Sequence, residues 1–144
     1  MKIVLQRVSE ASVSVGGEVI GAIQQGLLLL VGIHKDDCAA NLVPMRDKVL
    51  NLRVFPNEAG RFDRSLIDVK GSVLLVPQFT LFADTSKGRR PEFFEAMTPK
   101  PAADLFQAFV RCWEEILPGK VSQGLFGAEM EVRLTNHGPV TIII

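Results

Sequence analysis

The sequence predicts an α/β fold of the α+β kind, a mostly antiparallel or mixed β-sheet or barrel-like core with two main helices, in a single domain over residues 1–144. Three observations lead there. Short apolar or alternating runs bounded by glycine and proline recur along the chain, as strands do. One long stretch near residues 101–117 carries apolar residues at helical spacing, and a shorter one precedes it. The helices are inserted among strands rather than alternating with them, which argues against a βαβ series.

Each element has its own justification. Ser12 to Glu18 alternates Val13 and Val15 with serines, and Gly16-Gly17 can supply positive φ for a two-residue turn, so a β-hairpin is expected, continuing through Val19 and Ile23. Gly26 opens the wholly apolar strand Leu27 to Val31 and Gly32 closes it; a strand apolar on both faces sits centrally in its sheet. Asp36 and Asp37 can cap a helix running to about Leu52, in which Pro44 tolerates only a first-turn position or a kink. Met45, Val49 and Leu52 give that helix its packing face. Arg53 to Phe55 reads as a short strand, Pro56 to Gly60 as a turn, and Ser72 to Val76 as an apolar strand ending at Pro77. The clearest helix runs from about Pro101 to Leu117, with Leu105, Phe106, Phe109, Val110, Trp113, Ile116 and Leu117 as its core stripe and Pro118-Gly119 as its stop. Met130, Val132 and Leu134 then alternate with charged residues, Asn136 to Pro139 turns, and Val140 to Ile144 ends the chain as a strand.

Composition narrows the function. Sixteen Lys plus Arg balance sixteen Asp plus Glu, giving a formal net charge of zero. The lack of a cationic arm or acidic tail argues against a nonspecific polyanion binder, and any nucleic-acid contact must come from a local basic cluster. The longest apolar run, Leu27 to Val31, is far short of the roughly 20 residues that cross a bilayer, and Met1 to Leu5 has no secretory-signal pattern. No membrane partner is expected, and the expected compartment is the cytoplasm. Cys38 and Cys112 form no CxxC pair, so both are expected to be inert reduced thiols, buried or half-buried, with no zinc site or disulfide.

The common catalytic motifs are absent. There is no G-x-S-x-G elbow, Walker A loop, HExxH or glycine-rich dinucleotide fingerprint, and the only histidines, His34 and His137, flank turn signals. A hydrolase built from this chain needs a mechanism without a histidine base. Three local features remain, each with an ordinary structural alternative. Pro77-Gln78-Phe79-Thr80-Leu81 places an amide and a hydroxyl directly after an apolar strand, where backbone N–H groups face a cleft, or is simply a strand with one inward Phe79. Asn136-His137-Gly138-Pro139-Val140-Thr141 allows close backbone approach to a ligand, or is a plain hairpin turn. Lys87, Arg89 and Arg90 can grip phosphates from one loop, or form a solvated charged loop.

Together and in this order, the features closely resemble the D-aminoacyl-tRNA deacylase family, also called D-tyrosyl-tRNA deacylase. The resemblance runs end to end, through Gln6-Arg7-Val8, Ala11-Ser12-Val13, Gly26-Leu27-Leu28, Lys35-Asp36-Asp37, Phe79-Thr80-Leu81, Lys87-Gly88-Arg89-Arg90-Pro91, Phe126-Gly127-Ala128 and Asn136 with Gly138-Pro139-Val140-Thr141. It implies a homodimeric RNA-binding editing hydrolase that releases a D-amino acid, and also glycine from mischarged tRNA(Ala), from the terminal adenosine of tRNA. It implies no cofactor and no metal. By the same resemblance Gln78, Phe79 and Thr80 are the catalytic segment, with backbone N–H groups at Phe79 and Thr80 stabilising the oxyanion. Gly138 and Pro139 form a cis Gly-Pro filter that rejects L-amino acids from the partner subunit's active site, and the ribose 2′-hydroxyl of the substrate activates the nucleophile. Lys87, Arg89 and Arg90 are the tRNA-binding candidates, with Arg7, Arg61 and Arg64 behind them. The family usually has serine where this chain has Pro77. Pro77 and Thr135-Asn136 also resemble related deacylases of relaxed chirality that remove L-alanine from mischarged tRNA, whereas Phe79 and Val140 keep the D-specific pattern. A noncatalytic RNA-binding module is the alternative of a different class; the absence of tyrosine and of a basic surplus argues against it.

Overall fold

Strand β3 (Gly26–Gly32) is apolar on both faces because both faces are covered, and the computed structural model, which describes all residues Met1–Ile144, places it mid-sheet. Strand β1 (Lys2–Val15) runs antiparallel to β3 from Lys2↔Gly32 to Val8↔Gly26, then to β2 (Glu18–Ile23) from Ala11↔Ile23 to Val15↔Glu18. Gly16 and Gly17 make the hairpin turn with φ of 58° and 86°. On the other side of β3, β6 (Ser72–Pro77) and then β7 (Val121–Gln123) join in parallel. A small separate ribbon pairs β4 (Phe55–Pro56) with β5 (Phe62–Arg64). The last strand, β8 (Glu131–Ile143), lies antiparallel along the free edge of β1. The sheet curls until β2 meets β7, where Ser122 Oγ donates to Ala22 O at 3.0 Å. The result is a mixed, nearly closed barrel.

Strand alternation then sorts the apolar residues into two cores. Val8, Ala11, Val13, Ile23, Leu28, Leu74 and Val76 fill the inside of the barrel. Leu27, Leu29, Val73 and Leu75, their neighbours of opposite parity, face the helices α1 (Leu42–Leu50) and α2 (Pro99–Ile116). Phe106, Phe109, Val110 and Trp113 of α2 are buried there, each large side chain contributing on the order of 2 kcal/mol by burial. The buried Arg46 joins the helices by donating to Cys112 O at 3.0 Å.

Four expectations change. Asp37 does not cap α1: it accepts from the Met1 amine at 2.7 Å and the His34 N–H at 2.6 Å, so the helix starts later, after a 3-10 turn at Ala39–Asn41, with Pro44 in its first turn. Ile116 is 43% exposed, whereas Leu117, just past the helix end, is the residue that turns into the core beside Trp113. Cys38 is exposed rather than buried. The turn expected at Asn136 to Pro139 is instead a bulge within one continuous strand, β8, because β1 pairs with both of its flanks.

Candidate active site

The parallel strands β3, β6 and β7 end at one edge of the barrel, where chain exits commonly form binding sites. There β6 gives way to a tight 3-10 turn over Phe79–Phe82. Gln78 N–H donates to Val31 O at 2.8 Å, and Lys2 Nζ donates to Leu81 O at 2.9 Å while lying 5.0 Å from the centre of the Phe82 ring. Gly32 completes the seat, since a Cβ there would stand 3.1 Å from Gln78 O and from the Phe82 ring. The Gln78 amide donates to Thr80 Oγ1, so these two side chains hold each other. The backbone N–H groups of Phe79 and Thr80, the first of the turn, have no acceptor in the fold. They are adjacent donors on an anchored turn.

Beside this turn opens a cleft of about 610 Å³, walled by Phe79, Phe93, Met97, Phe126, Met130 and Val132. Phe79 and Phe93 meet edge to face at 5.0 Å. No ionisable side chain lines it. The cleft can therefore bind an apolar or aromatic group and polarise a carbonyl through backbone N–H groups, but it supplies no carboxylate or imidazole for proton transfer. No group of three or more His, Cys, Asp or Glu side chains is placed to hold a metal.

The Gly138-Pro139 segment lies elsewhere. In the β1–β8 ladder Val8 faces Asn136 and Gln6 faces Thr141, so residues 137–140 bulge out opposite Arg7 alone. Asn136 Oδ1 accepts the Val140 N–H at 2.8 Å and Asn136 Nδ2 donates to Thr141 Oγ1 at 2.9 Å, closing the base of the bulge. The Gly138-Pro139 peptide is cis, and both residues are exposed. Arg7 grips the bulge from below: its Nε donates to His137 O at 2.8 Å and its Nη1 to Val54 O at 2.6 Å, with the Phe62 ring 5.5 Å away. Only 6% exposed, Arg7 has no carboxylate partner, and burial lowers its pKa. It is thus no reserve phosphate contact but the support of the bulge. The signal was present in the sequence, for Ile3, Leu5 and Arg7 share one parity of a strand whose first two members are core. Arg61 and Arg64 are exposed on the β4–β5 ribbon.

Within one chain, none of residues 136–141 lines the cleft, so the two motif segments stay apart. Lys87, Arg89 and Arg90 also stand outside it, exposed on a loop closed by the Asp84–Glu92 backbone pair at 2.8 and 2.9 Å. None of the three forms an ion pair. Two neighbouring acids are engaged: the Ser86 N–H holds the Asp84 carboxyl below its usual range, and hydrogen bonds from Lys35, then His34, do the same for Glu95; Glu92 pairs through its backbone only.

A family model described as D-Tyr-tRNA(Tyr) deacylase matches residues 4–144. A solved structure named c-Myc DNA Unwinding Element Binding Protein superposes with a TM-score of 0.94 at 42% sequence identity, covering 100% of this chain and 97% of the other. A second, from a "Structural Analysis of a probable eukaryotic D-amino acid tRNA deacylase", has a TM-score of 0.89 at 17% identity, covering 99% of this chain and 97% of the other. That second likeness is one of fold. No helix is long and apolar enough to cross a membrane.

Proposed function

The chain belongs to the D-Tyr-tRNA(Tyr) deacylase family, which makes it a hydrolase of the aminoacyl-tRNA ester bond, and we propose that it cleaves that bond at the mouth of the Phe79–Phe93 cleft. The observation that carries this reading is the pair of free N–H groups at Phe79 and Thr80 beside a cleft with no ionisable wall. The terminal adenosine enters the apolar cleft and the ester carbonyl meets the two donors. Water adds to the carbonyl carbon, the oxyanion is held by the N–H groups, and the C–O bond to the ribose breaks, releasing the amino acid and the tRNA 3′-hydroxyl. Each such donor typically lowers the barrier by about 3 kcal/mol. With no protein base at hand, the neighbouring ribose 2′-hydroxyl takes up and relays the proton.

Selection against L-amino acids is assigned to Gly138-Pro139 of a second copy. The Gly138-Pro139 tip is exposed, its base is held by Arg7 and Asn136, and in its own chain it lines no cleft, so a symmetric homodimer that exchanges bulges completes both sites. Its backbone opposite the substrate α-carbon collides with an L side chain, admits a D side chain pointing away, and has nothing to reject in glycine. Glycyl-tRNA(Ala) is therefore also a substrate, and the setting is the cytoplasm, where tRNA is charged. The DNA-binding name of the 42%-identical structure finds little counterpart in a chain of zero net charge.

The test is deacylation of D-tyrosyl-, L-tyrosyl-, glycyl- and L-alanyl-tRNA by purified protein in chelator, with sedimentation at micromolar concentration. Cleavage of the D and glycyl esters by a dimer is expected, with loss of turnover on a 2′-deoxy terminal adenosine. Ready cleavage of L-alanyl-tRNA points instead to the relaxed-chirality relatives that Pro77 resembles. A fully active monomer overturns the shared site.

A further inference from the structure

Resting on the deacylase reading, we propose that Phe94 is a stacking platform for the unpaired cytidine that precedes the terminal adenosine, so that the single-stranded 3′ end of tRNA crosses this turn on its way into the cleft. Phe94 is 76% exposed, more than any other large apolar side chain of the protein. Its backbone, in contrast, is fixed. The Phe93–Ala96 turn is closed by the Ala96 N–H on Phe93 O at 3.0 Å and strapped on one side by the Asp84–Glu92 bridge and on the other by the His34–Ala96 bridge. Glu95, inside the turn, is paired to Lys35 at 2.8 Å and to His34 at 2.9 Å. Phe93 lines the cleft against Phe79 while Phe94 next to it stands in water.

A ring held out into solvent on a rigid turn leaves apolar area that folding did not bury, at a small entropic cost of ordering on binding. A cleft of about 610 Å³ takes one nucleoside with its aminoacyl group, so the preceding nucleotide must lie on the rim. The charges choose nucleic acid over a protein surface. Lys87, Arg89 and Arg90 lie just upstream on the same strapped loop, without ion pairs, and outnumber the two carboxylates there that no cation neutralises, Asp84 and Glu92, since Glu95 is paired to Lys35 and His34. An exposed aromatic beside unpaired cations suits a base with its phosphates, and the π-face of any base serves.

The experiment compares kcat/KM on D-tyrosyl-tRNA with kcat/KM on 3′-(D-tyrosyl)adenosine, which has no cytidine. Phe94→Ala is expected to lower the ratio of the two by about fivefold, the low end of a base–aromatic stack, and Phe94→Trp to restore it. An unchanged ratio overturns the proposal, as does a ratio that Phe94→Trp fails to recover. A shift of Phe94→Ala to monomer in sedimentation assigns the ring to contact between copies and overturns it too. If the wild-type protein cleaves neither ester, the deacylase reading fails and this inference goes with it.

Discussion

Arg7 tests how the site is held. Its guanidinium makes two charge-assisted hydrogen bonds, to His137 O at 2.8 Å and to Val54 O at 2.6 Å, each of a kind that contributes about 1.5–3 kcal/mol. Truncation in Arg7→Ala leaves the carbonyl of Val54, a buried residue, without a donor, while that of the exposed His137 can turn to water. Part of the gain is offset in the wild type by burying a cation with no carboxylate nearby. The net expected loss is about 3 kcal/mol, or roughly 10 °C in Tm for a chain of this size. Arg7→Lys, which reaches one carbonyl only, is expected to lose about half. The same energy measures how firmly Gly138 is held, so up to about 150-fold in D over L discrimination disappears in Arg7→Ala. The assay is single-turnover deacylation of D- and L-tyrosyl-tRNA across a salt series, alongside thermal melts. A D/L ratio within twofold of wild type, despite the lowered Tm, refutes the positioning argument. So does a salt slope reduced by about 0.7–0.9, which would make Arg7 a phosphate ligand.

Gly138→Ala approaches the same network from the other side: its Cβ would stand 2.8 Å from Arg7 Nη2 and from Val140 Cγ2, at a φ of 138°. A cost of about 1–3 kcal/mol and a changed D/L ratio are expected, read by melting and by paired deacylation rates; an unaltered ratio separates Gly138 from selection. Neutralising Arg89 and Arg90 together should raise KM for aminoacyl-tRNA and lower the log–log salt slope by about 0.7–0.9 for each phosphate that these arginines neutralise, with the D/L ratio kept. An unchanged slope makes the loop a solvated turn and moves attention to Arg61 and Arg64. Glu95 is held below its ordinary pKa of 4.5, so its stabilisation is present above that value and is lost as pH falls through the lower folded one. Wild type and Glu95→Gln should therefore melt apart above about pH 5, wild type higher, and converge as pH falls through the lowered folded value; parallel profiles count against the Lys35–Glu95–His34 cluster as a brace of the Phe93–Ala96 turn.

Local pattern alone settled a good deal. Leu27 to Val31 had to be central because only a strand covered on both faces can be apolar throughout, and Phe106 to Trp113 had to face a sheet because their spacing matches one side of a helix. The two motif segments were legible too, since a polar pair after an apolar strand and a glycine before proline each break the pattern around them. What sequence spacing does not encode is which distant groups share a place. Asp37 was spent on the N-terminal amine rather than on a helix cap, and the Asn136 to Pro139 turn became a bulge because β1 runs on along both flanks. Strand parity puts Arg7 with the core residues Ile3 and Leu5, but its partners, Val54 and His137, contributed by the chain before β4 and by β8, are set by the fold alone. Burial and hydrogen-bond partnership are properties of the folded neighbourhood, made by residues far apart in the chain, so only the tertiary structure could turn that arginine from a candidate tRNA ligand into the support of the bulge.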